Sequence, residues 1–230
     1  MKDKLSIIIP CYNEEEGIPN LKKKLIPVVK NLKKDYQVKL IFVDDGSTDN
    51  TYKLLRKNFR GSCILRHVKN KNLGAALKTG FNYAVGDKIA VLDSDCTYNP
   101  DILYKLLDSD ADIVTVSPYH PKGEVKNVPF YRVFLSKGIS FIYRILTRRK
   151  IYTFTAMVRV YKRKVLDDIT IENNDFISMV EILIKAIKRG YVVDEVPAVL
   201  NVRKHGISKM NTWSAIKGHI KFIFKIRGIQ

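Results

Sequence analysis

The chain has 230 residues, 46% hydrophobic and 28% charged, which is enough to bury the core of one large domain or two small ones. Its 41 Lys and Arg against 23 Asp and Glu give a formal net charge of +18, which implies a polyanionic neighbour such as nucleic acid, anionic lipid or a phosphorylated substrate. The odd number of cysteines without a CxxC pair argues against a disulfide framework or a zinc site and favours a reducing compartment. The sequence shows no signal-peptide pattern and no apolar run near ~18 residues, so we predict a soluble or peripheral protein.

Short apolar runs alternate with helical patterns through the first half of the chain. In order they are SIIIP, residues 17–34, KLIFV, residues 49–59, CILRHV, residues 73–85 and KIAVLD. This alternation predicts an α/β fold with a mostly parallel sheet, and the absence of a linker or repeat favours one domain. Three of the strands run into polar loops, CYNEEEG, DDGSTDNT and DSDCTYNP. Because ligands bind at the carboxyl ends of parallel strands, we expect the functional site there.

The second half of the chain has a less regular pattern. Residues 128–146 predict an apolar, basic helix, FTAMVRVYKR a strand or loop, residues 175–189 a helix, and YVVDEVPAVLNVR a bent strand pair broken by a proline. The last stretch places Lys217, Lys221 and Lys225 four apart, beside Ile216, Ile220 and Ile223. Such a basic amphipathic helix lies on a membrane or packs on its own domain.

Two carboxylates, Asp93 and Asp95, follow the predicted strand KIAVL directly. At a strand end such a pair can share one hard cation with a diphosphate, and Mg²⁺ or Mn²⁺ suits these oxygen ligands. An isolated pair of this kind more often favours a turn, so the neighbouring loops decide the interpretation. Asn99 and Pro100, just beyond, are a plausible N-cap and first helical residue.

The other two polar loops carry groups suited to a nucleotide. Asp44 and Asp45 close the strand KLIFV, and a carboxylate there can accept hydrogen bonds from a nucleobase or ribose. Turn chemistry alone would explain residues 46–51 but not this acidic pair. In CYNEEEG, Tyr12 can stack on a base and Glu14 can bind a ribose or base edge, although a surface turn would explain this loop as well.

Together these loops resemble the family 2 glycosyltransferases, and within them the dolichol and polyprenyl phosphate sugar transferases. The resemblance covers roughly residues 5–210 and rests on SIIIPCYNEEEGI, VDDGSTDNT, LGAALKTGFNYAVGDKIAVLDSDCTYNP, FTAMVRVYKRKVL and EVPAVLNVRKHGISKM. It implies a glycosyltransferase-A, Rossmann-like fold: a mostly parallel sheet flanked by helices, with basic amphipathic helices at a membrane interface. Residues 1–210 would form the catalytic domain, and residues 211–230 a basic amphipathic segment of the same domain.

The resemblance also implies roles for individual residues. Donor contacts would come from Pro10, Tyr12, Glu14, Val43, Asp45, Asp93, Ser94, Asp95, Arg203 and Lys209. Among these, Asp93 and Asp95 would bind the metal, and Asp95, Arg203 and Lys209 would be catalytic. The pattern RxxGxSK is met by Arg203, Gly206, Ser208 and Lys209, which would face the donor diphosphate. Arg132 and Ser136 match positions used for a lipid phosphate, and a phosphate and a diphosphate together need more positive charge than one divalent cation supplies.

A phosphate acceptor removes the need for a general base, because a phosphomonoester with a second pKa near ~6 is already an oxyanion at neutral pH. If the acceptor is a hydroxyl, Asp95, Asp175 and Glu181 are candidate bases, with a structural role favoured for Glu181. The chain departs from the family pattern at Thr97, Pro118 and Met157, which leaves the sugar and lipid preferences open.

The predicted reaction is an inverting, metal-dependent transfer from GDP-mannose or a UDP-hexose to a polyprenyl or dolichyl phosphate. The aromatic, basic stretch at residues 128–150 predicts a peripheral protein on an anionic membrane surface at the cytoplasmic face, with a membrane-anchored partner protein left open. One alternative is transfer to a glycan or protein hydroxyl. A distant alternative is a non-catalytic membrane or nucleic-acid binding module, but the acidic loops would repel nucleic acid, so we predict no nucleic-acid partner.

Overall fold

A computed structural model of the protein describes residues 2–203 and 212–227. The first half alternates strands and helices: β1 (Asp3–Cys11), α1 (Ile18–Leu32), β2 (Tyr36–Asp44), α2 (Thr51–Asn58), β3 (Cys63–Arg66), α3 (Leu73–Tyr83) and β4 (Lys88–Val91). The second half continues with α4 (Ile102–Leu107), β5 (Ile113–Ser117), β6 (Glu124–Lys126), α5 (Phe130–Thr147), β7 (Arg159–Lys162), α6 (Arg163–Asp168), α7 (Ile177–Lys188), β8 (Val193–Pro197), β9 (Val199–Asn201) and α8 (Thr212–Arg227).

The main sheet has the strand order β3-β2-β1-β4-β7-β5-β8. All neighbouring pairs in it are parallel except those made by β7, which runs antiparallel to both β4 and β5. Cys11 at the end of β1 pairs with Asp44 at the end of β2, and Ile8 pairs with Val91 at the end of β4. The three polar loops therefore leave the sheet at one edge, and the prediction of a mostly parallel sheet flanked by helices is confirmed.

Side chains that alternate along β1 build a core on each face of the sheet. Ile7 and Ile9 belong to one core, with α1, α2 and α4, while Ile8 belongs to the other, with α3, α7 and α8. Helix α3 lies so close to β1 that a Cβ at Gly80 would stand 2.5 Å from Cγ2 of Ile8. Close contact here holds the loop that precedes α3 against the carboxyl end of the sheet.

The second half contains features that its sequence pattern did not indicate. The segment FTAMVRVYKR contains the antiparallel strand β7, and residues 113–117 form β5, which the pattern did not single out. Helix α4 begins at Ile102 with Asp101 as its N-cap, two residues beyond the predicted start at Asn99 and Pro100. The amide of Ile102 donates to the carbonyl of Asn99 at 3.0 Å, so those two residues form a turn before the helix.

Helices α5 and α8 carry much exposed apolar surface. On α5 the side chains of Phe130, Phe134 and Phe141 are 81%, 65% and 62% exposed. On α8 Phe222 and Ile226 are buried in the core and Ile223 packs against it, whereas Ile220, also in the isoleucine row that the sequence emphasised, is 51% exposed. Across residues 2–203 and 212–227, none of the helices combines the length and apolar character needed to cross a bilayer.

Candidate active site

A cavity of about 900 Å³ lies at the carboxyl ends of β1, β2 and β4. It is lined by almost every described residue to which the resemblance gave a role: Pro10, Tyr12, Glu14, Asp45, Asp93, Ser94, Asp95, Arg132, Ser136 and Arg203. Val43 is the exception, because its side chain is fully buried in the core formed with α3. Lys209, Gly206 and Ser208 lie outside the described residues.

The loops after β1 and β2 are bound to one another by hydrogen bonds. The amide of Glu14 donates to Oγ1 of Thr51 at 2.7 Å, and the amide of Asn13 donates to Oγ of Ser47 at 2.9 Å. In return, the amide of Asn50 donates to Oε2 of Glu15 at 2.9 Å. Most polar residues of DDGSTDNT are thus used to hold Tyr12 and Glu14 at the cavity wall.

The acidic pair that ends β2 divides between two environments. Asp44 is fully buried and its Oδ2 lies 3.1 Å from Nε of Arg66, whereas Asp45 lines the cavity. Oδ1 of Asp45 lies 2.6 Å from Nδ1 of His67 and accepts the amide of Lys71 at 2.9 Å. Gly46 permits this approach, since its φ is +70° and a Cβ there would stand 2.4 Å from the backbone of Lys69.

The two carboxylates after β4 are held by Thr97, which the sequence marked only as a departure from the family pattern. Its hydroxyl donates to Oδ2 of Asp93 at 3.0 Å, and its amide donates to Oδ1 of Asp95 at 3.0 Å. Burial, followed by the charge of Asp95, raises the pKa of Asp93 to about 8. The negative charge of this carboxylate pair is therefore not fully neutralised by positive groups of the protein.

Arg203 lies against this pair from the far end of the chain. Its Nε is 3.8 Å from Oδ2 of Asp95, and its guanidinium forms a close ion pair with Glu14. The segment that leads to Arg203 is attached to the carboxylate loop, because the amide of Asn201 donates to the carbonyl of Thr97 at 2.9 Å. A cation of the protein and both carboxylates are thereby brought to one wall of the cavity.

The donor set at this wall fits a hard divalent cation that is shared with a ligand. Asp93 and Asp95 offer carboxylate oxygens, whose repulsion a cation would relieve. Within the described ranges, no group of three or more His, Cys, Asp and Glu side chains is arranged to hold a metal by itself. The remaining ligands would then come from water and from phosphate oxygens, which is how Mg²⁺ is usually bound.

Arg132 and Ser136 line the cavity from α5, one helical turn apart. Two residues without an assigned role lie beside them. Oγ of Ser136 is 2.8 Å from Oγ1 of Thr155, and Tyr119 lines the same cavity. No local sequence pattern joins these groups, since they come from three separate segments.

The same cavity has an apolar part, here called the lobe, to which α5, α7 and α8 contribute side chains. It is lined by Leu135, Ile139, Ile142, Met157, Met179, Val180, Ile216, Ile220 and Ile223. Phe134, Ile142 and Ile220 line the lobe and are also 65%, 41% and 51% exposed. The lobe therefore opens where α5 and α8 present apolar side chains at the protein surface.

The candidate bases Asp175 and Glu181 do not line the cavity. Glu181 is fully buried and accepts hydrogen bonds from the amides of Glu172 and Asn173 at 3.0 and 2.9 Å and from Nζ of Lys185 at 2.6 Å. Asp175 accepts the amide of Ile177 at 2.9 Å, at the start of α7. Both carboxylates shape the loop that precedes α7, which places Phe176 on the cavity wall.

Residues 6–170 match the family described as glycosyl transferase family 2. Polyprenol monophosphomannose synthase of Mycolicibacterium smegmatis is 33% identical over 89% of this chain and 80% of that protein. Dolichol-phosphate mannosyltransferase of Pyrococcus furiosus is 31% identical over 97% of this chain, but the aligned part is 63% of that protein. For undecaprenyl-phosphate 4-deoxy-4-formamido-L-arabinose transferase of Proteus mirabilis the identity is 32%, over 72% of this chain and 51% of that protein.

Solved structures give the same architecture at lower identity. Glucosyl-3-phosphoglycerate synthase from Mycobacterium tuberculosis, in complex with Mn²⁺, UDP and glucosyl-3-phosphoglycerate, superposes with a TM-score of 0.75 at 19% identity. The match covers 99% of this chain and 81% of that one. The same protein with Mg²⁺ and UDP gives a TM-score of 0.76. At this level the likeness concerns the fold alone, and it confirms the predicted glycosyltransferase-A architecture.

Proposed function

The chain belongs to glycosyl transferase family 2, and we propose that it transfers a sugar from a nucleotide-sugar donor to a polyprenyl phosphate. The donor would be GDP-mannose or a UDP-hexose, and the anomeric configuration would be inverted. We place the protein on the cytoplasmic face of a membrane with anionic lipid. Three relatives whose names include a polyprenol, dolichol or undecaprenyl phosphate support this acceptor class.

The observation that carries the proposal is the continuity of the cavity. The carboxylates, Arg203, Arg132 and Ser136 line the same cavity as the apolar lobe, which α5 and α8 help to form. A lipid phosphate has matching parts, since its anionic head could lie at Arg132 while its hydrocarbon chain lies in the lobe. A glycan hydroxyl acceptor would leave this apolar surface without a ligand.

On the donor side, Tyr12, Glu14 and Asp45 would bind the nucleoside, because they line the cavity next to the carboxylate loop. Asp93 and Asp95 would hold Mg²⁺ or Mn²⁺ against the diphosphate. A bound divalent cation would neutralise charge that develops on the departing diphosphate. Arg203 would exchange its contacts with Glu14 and Asp95 for phosphate oxygens and so stabilise the same charge.

On the acceptor side, Arg132 and Ser136 would orient the phosphate for in-line attack on the anomeric carbon. No proton has to be removed, because the attacking phosphate oxygen is already anionic at neutral pH. This agrees with the positions of Asp175 and Glu181, whose oxygens serve the backbone before α7. The exposed aromatic side chains of α5 would rest in the headgroup region of the bilayer.

The decisive test measures release of nucleoside diphosphate from GDP-mannose, UDP-glucose and UDP-N-acetylglucosamine. Each donor is tested with and without Mn²⁺ or Mg²⁺, and with and without polyprenyl phosphate in vesicles. We expect release with one donor that needs both metal and lipid phosphate, together with a radiolabelled lipid product. Asp95→Ala should abolish it, while Asp101→Ala, at the N-cap of α4, serves as a carboxylate control.

The two alternatives give different results in this test. Metal-dependent transfer to a glycan or protein, unaffected by polyprenyl phosphate, would reject the acceptor and keep the sugar transfer. If the protein neither binds nor turns over any of the donors, the proposed sugar transfer itself is rejected.

A further inference from the structure

Two hydroxyl side chains without an assigned role line the cavity close to Ser136. Oγ1 of Thr155 is 2.8 Å from Oγ of Ser136, and the ring centre of Tyr119 is 5.4 Å from Nζ of Lys137, the residue after Ser136 on α5. All three residues line the cavity, as does Arg132. Three hydroxyls and a guanidinium therefore line the cavity that also contains the carboxylates and the apolar lobe.

The segment that carries Thr155 is fixed by hydrogen bonds below it. Glu195 on β8 accepts the amides of Tyr152 and Thr153 at 2.7 and 2.8 Å. Oγ1 of Thr153 lies 2.8 Å from Oγ of the buried Ser117. These hydrogen bonds fix the residues just before Thr155. The side chain of Thr155 is thereby held at the cavity wall, next to Ser136 of α5. Such fixed positions are what precise recognition of a small anion requires.

The hydroxyls suit an oxyanion. In the protein alone the hydroxyls of Ser136 and Thr155 form a hydrogen bond with one another, but each of the three hydroxyls can rotate to donate its hydrogen to an incoming oxygen. Burial raises the pKa of Tyr119, so this phenol keeps the proton that it would donate. Lys137 also lies nearby, with Nζ 5.4 Å from the centre of the Tyr119 ring, and adds positive charge. Hydrogen bonds to a charged acceptor are stronger than those between neutral groups.

We propose that Tyr119 and Thr155 complete a phosphate cradle with Arg132 and Ser136, in which the three hydroxyls donate to oxygens of the acceptor phosphate. This inference rests on the proposed function and adds two specificity-determining residues to it. The cradle binds the phosphate head, while the lobe binds the hydrocarbon. A phosphomonoester is thereby preferred over the corresponding alcohol.

The test measures binding by titration calorimetry on the full chain. The ligands are farnesyl phosphate, farnesol and inorganic phosphate, and the variants are Thr155→Val and Tyr119→Phe. Loss of one hydrogen bond to a charged group should weaken farnesyl phosphate binding roughly tenfold or more in each variant. Farnesol and nucleoside diphosphate should bind as before, and Thr155→Ser should restore the phosphate affinity.

Matched controls exclude a general effect of the substitutions. Thr147→Val removes a hydroxyl whose partner is the carbonyl of Tyr143 within α5, and Tyr104→Phe removes an exposed hydroxyl on α4. Neither control should change the affinity for farnesyl phosphate. Urea unfolding midpoints of all variants show whether each is folded.

The outcomes separate the cradle from the proposed reaction. Unchanged affinity for farnesyl phosphate in both variants, or an equal loss for farnesol, overturns the cradle. If inorganic phosphate binds as tightly as farnesyl phosphate, the proposal that the cradle binds the phosphate of a lipid is overturned. If both substitutions weaken farnesyl phosphate binding but no sugar is transferred to it, the cradle is supported and the proposed reaction is rejected. If sugar is transferred and neither substitution affects the transfer, the reaction is supported and the cradle is rejected.

Discussion

Single residues in the cavity act through partners that hold them in place. Oδ1 of Asp45 is occupied by His67 and by the amide of Lys71, and His67 in turn lies 2.9 Å from Oγ1 of Thr79. The carboxylate is 4% exposed, so it depends on these contacts for its orientation. His67 is a residue that the sequence pattern did not single out, since nothing local links it to Asp45.

We predict that His67→Leu raises the KM for the nucleotide-sugar donor roughly tenfold, because a buried carboxylate loses one hydrogen-bond partner. The KM for the acceptor should stay the same. His67→Gln, which keeps a donor group, should have a smaller effect, and His120→Gln provides a histidine control. An equal rise of both KM values would show that the substitution disturbs the whole cavity instead of the orientation of Asp45.

Thr97 has a comparable role for the carboxylate pair. Because its hydroxyl orients Asp93, we expect Thr97→Val to raise about tenfold the Mn²⁺ concentration that half-saturates donor binding. Thr97→Ser should retain most of the affinity. The measurement is nucleoside diphosphate binding by calorimetry across a Mn²⁺ titration. A Thr97→Val protein with unchanged Mn²⁺ dependence would mean that this hydroxyl does not orient a metal ligand.

At the scale of helices and strands, the first half of the fold could be predicted from the sequence because each strand and its loop are contiguous. Parallel pairing then brings residues after Cys11, Asp44 and Val91 to one edge without further information. The second half could not be predicted in this way, since β7 enters the sheet antiparallel between β4 and β5. Arg159 on β7 is an example: a fully buried arginine contradicts the usual pattern of a central strand.

Arg159 connects three elements of this irregular half. Its guanidinium donates to Oγ1 of Thr115 at 3.1 Å and to the carbonyls of Met179 and Phe154 at 2.5 and 2.6 Å. Arg159→Met leaves these buried acceptors without a donor, so we expect the free energy of unfolding to fall by about 3 kcal/mol or more. Urea denaturation measures the change, with the exposed Arg56→Met as control. A loss below about 1 kcal/mol would show that water or a shifted side chain replaces the guanidinium.

Across the whole molecule, the packing of α8 on the domain should depend on pH through His219. Nδ1 of His219 lies 3.0 Å from Oη of Tyr143, and burial lowers the pKa of His219 to about 4, although the charge of Asp175 acts in the other direction. The unfolded chain binds this proton near pH 6.5, so it holds more protons than the folded chain between the two values. The contribution of neutral His219 to the free energy of unfolding is therefore fully present above pH 6.5 and is lost as the pH falls towards 4.

We predict that His219→Phe removes this part of the pH dependence, which amounts to roughly 3 kcal/mol between the two pKa values. Thermal or urea unfolding at closely spaced pH values between 4 and 7 provides the measurement. His120→Gln should leave the slope unchanged. If the slope survives in His219→Phe, another group with a different pKa in the folded and unfolded states is responsible.

The membrane attachment proposed above would also be a property of the whole molecule, because it would combine the net charge of +18 with the exposed aromatic side chains of α5. We expect binding to vesicles that contain anionic lipid, weakened by salt and by Phe130→Ser combined with Phe141→Ser. Val68→Ser, at a still more exposed apolar site in the segment after β3, is the control. Vesicle cosedimentation measures the effect, and equal binding by all variants would place the contact elsewhere.

The hydrogen bond between Asn201 and Thr97, like the ion pair between Arg203 and Glu14, joins residues that lie far apart in the sequence, separated by 104 and 189 positions. During synthesis the early β-α units can fold as they leave the ribosome, since their contacts are local. The wall that carries Asp95 is completed only when Arg203 has emerged. A nascent chain would therefore form the loops after β1, β2 and β4 well before Arg203 could join Glu14 and Asp95 at the cavity wall.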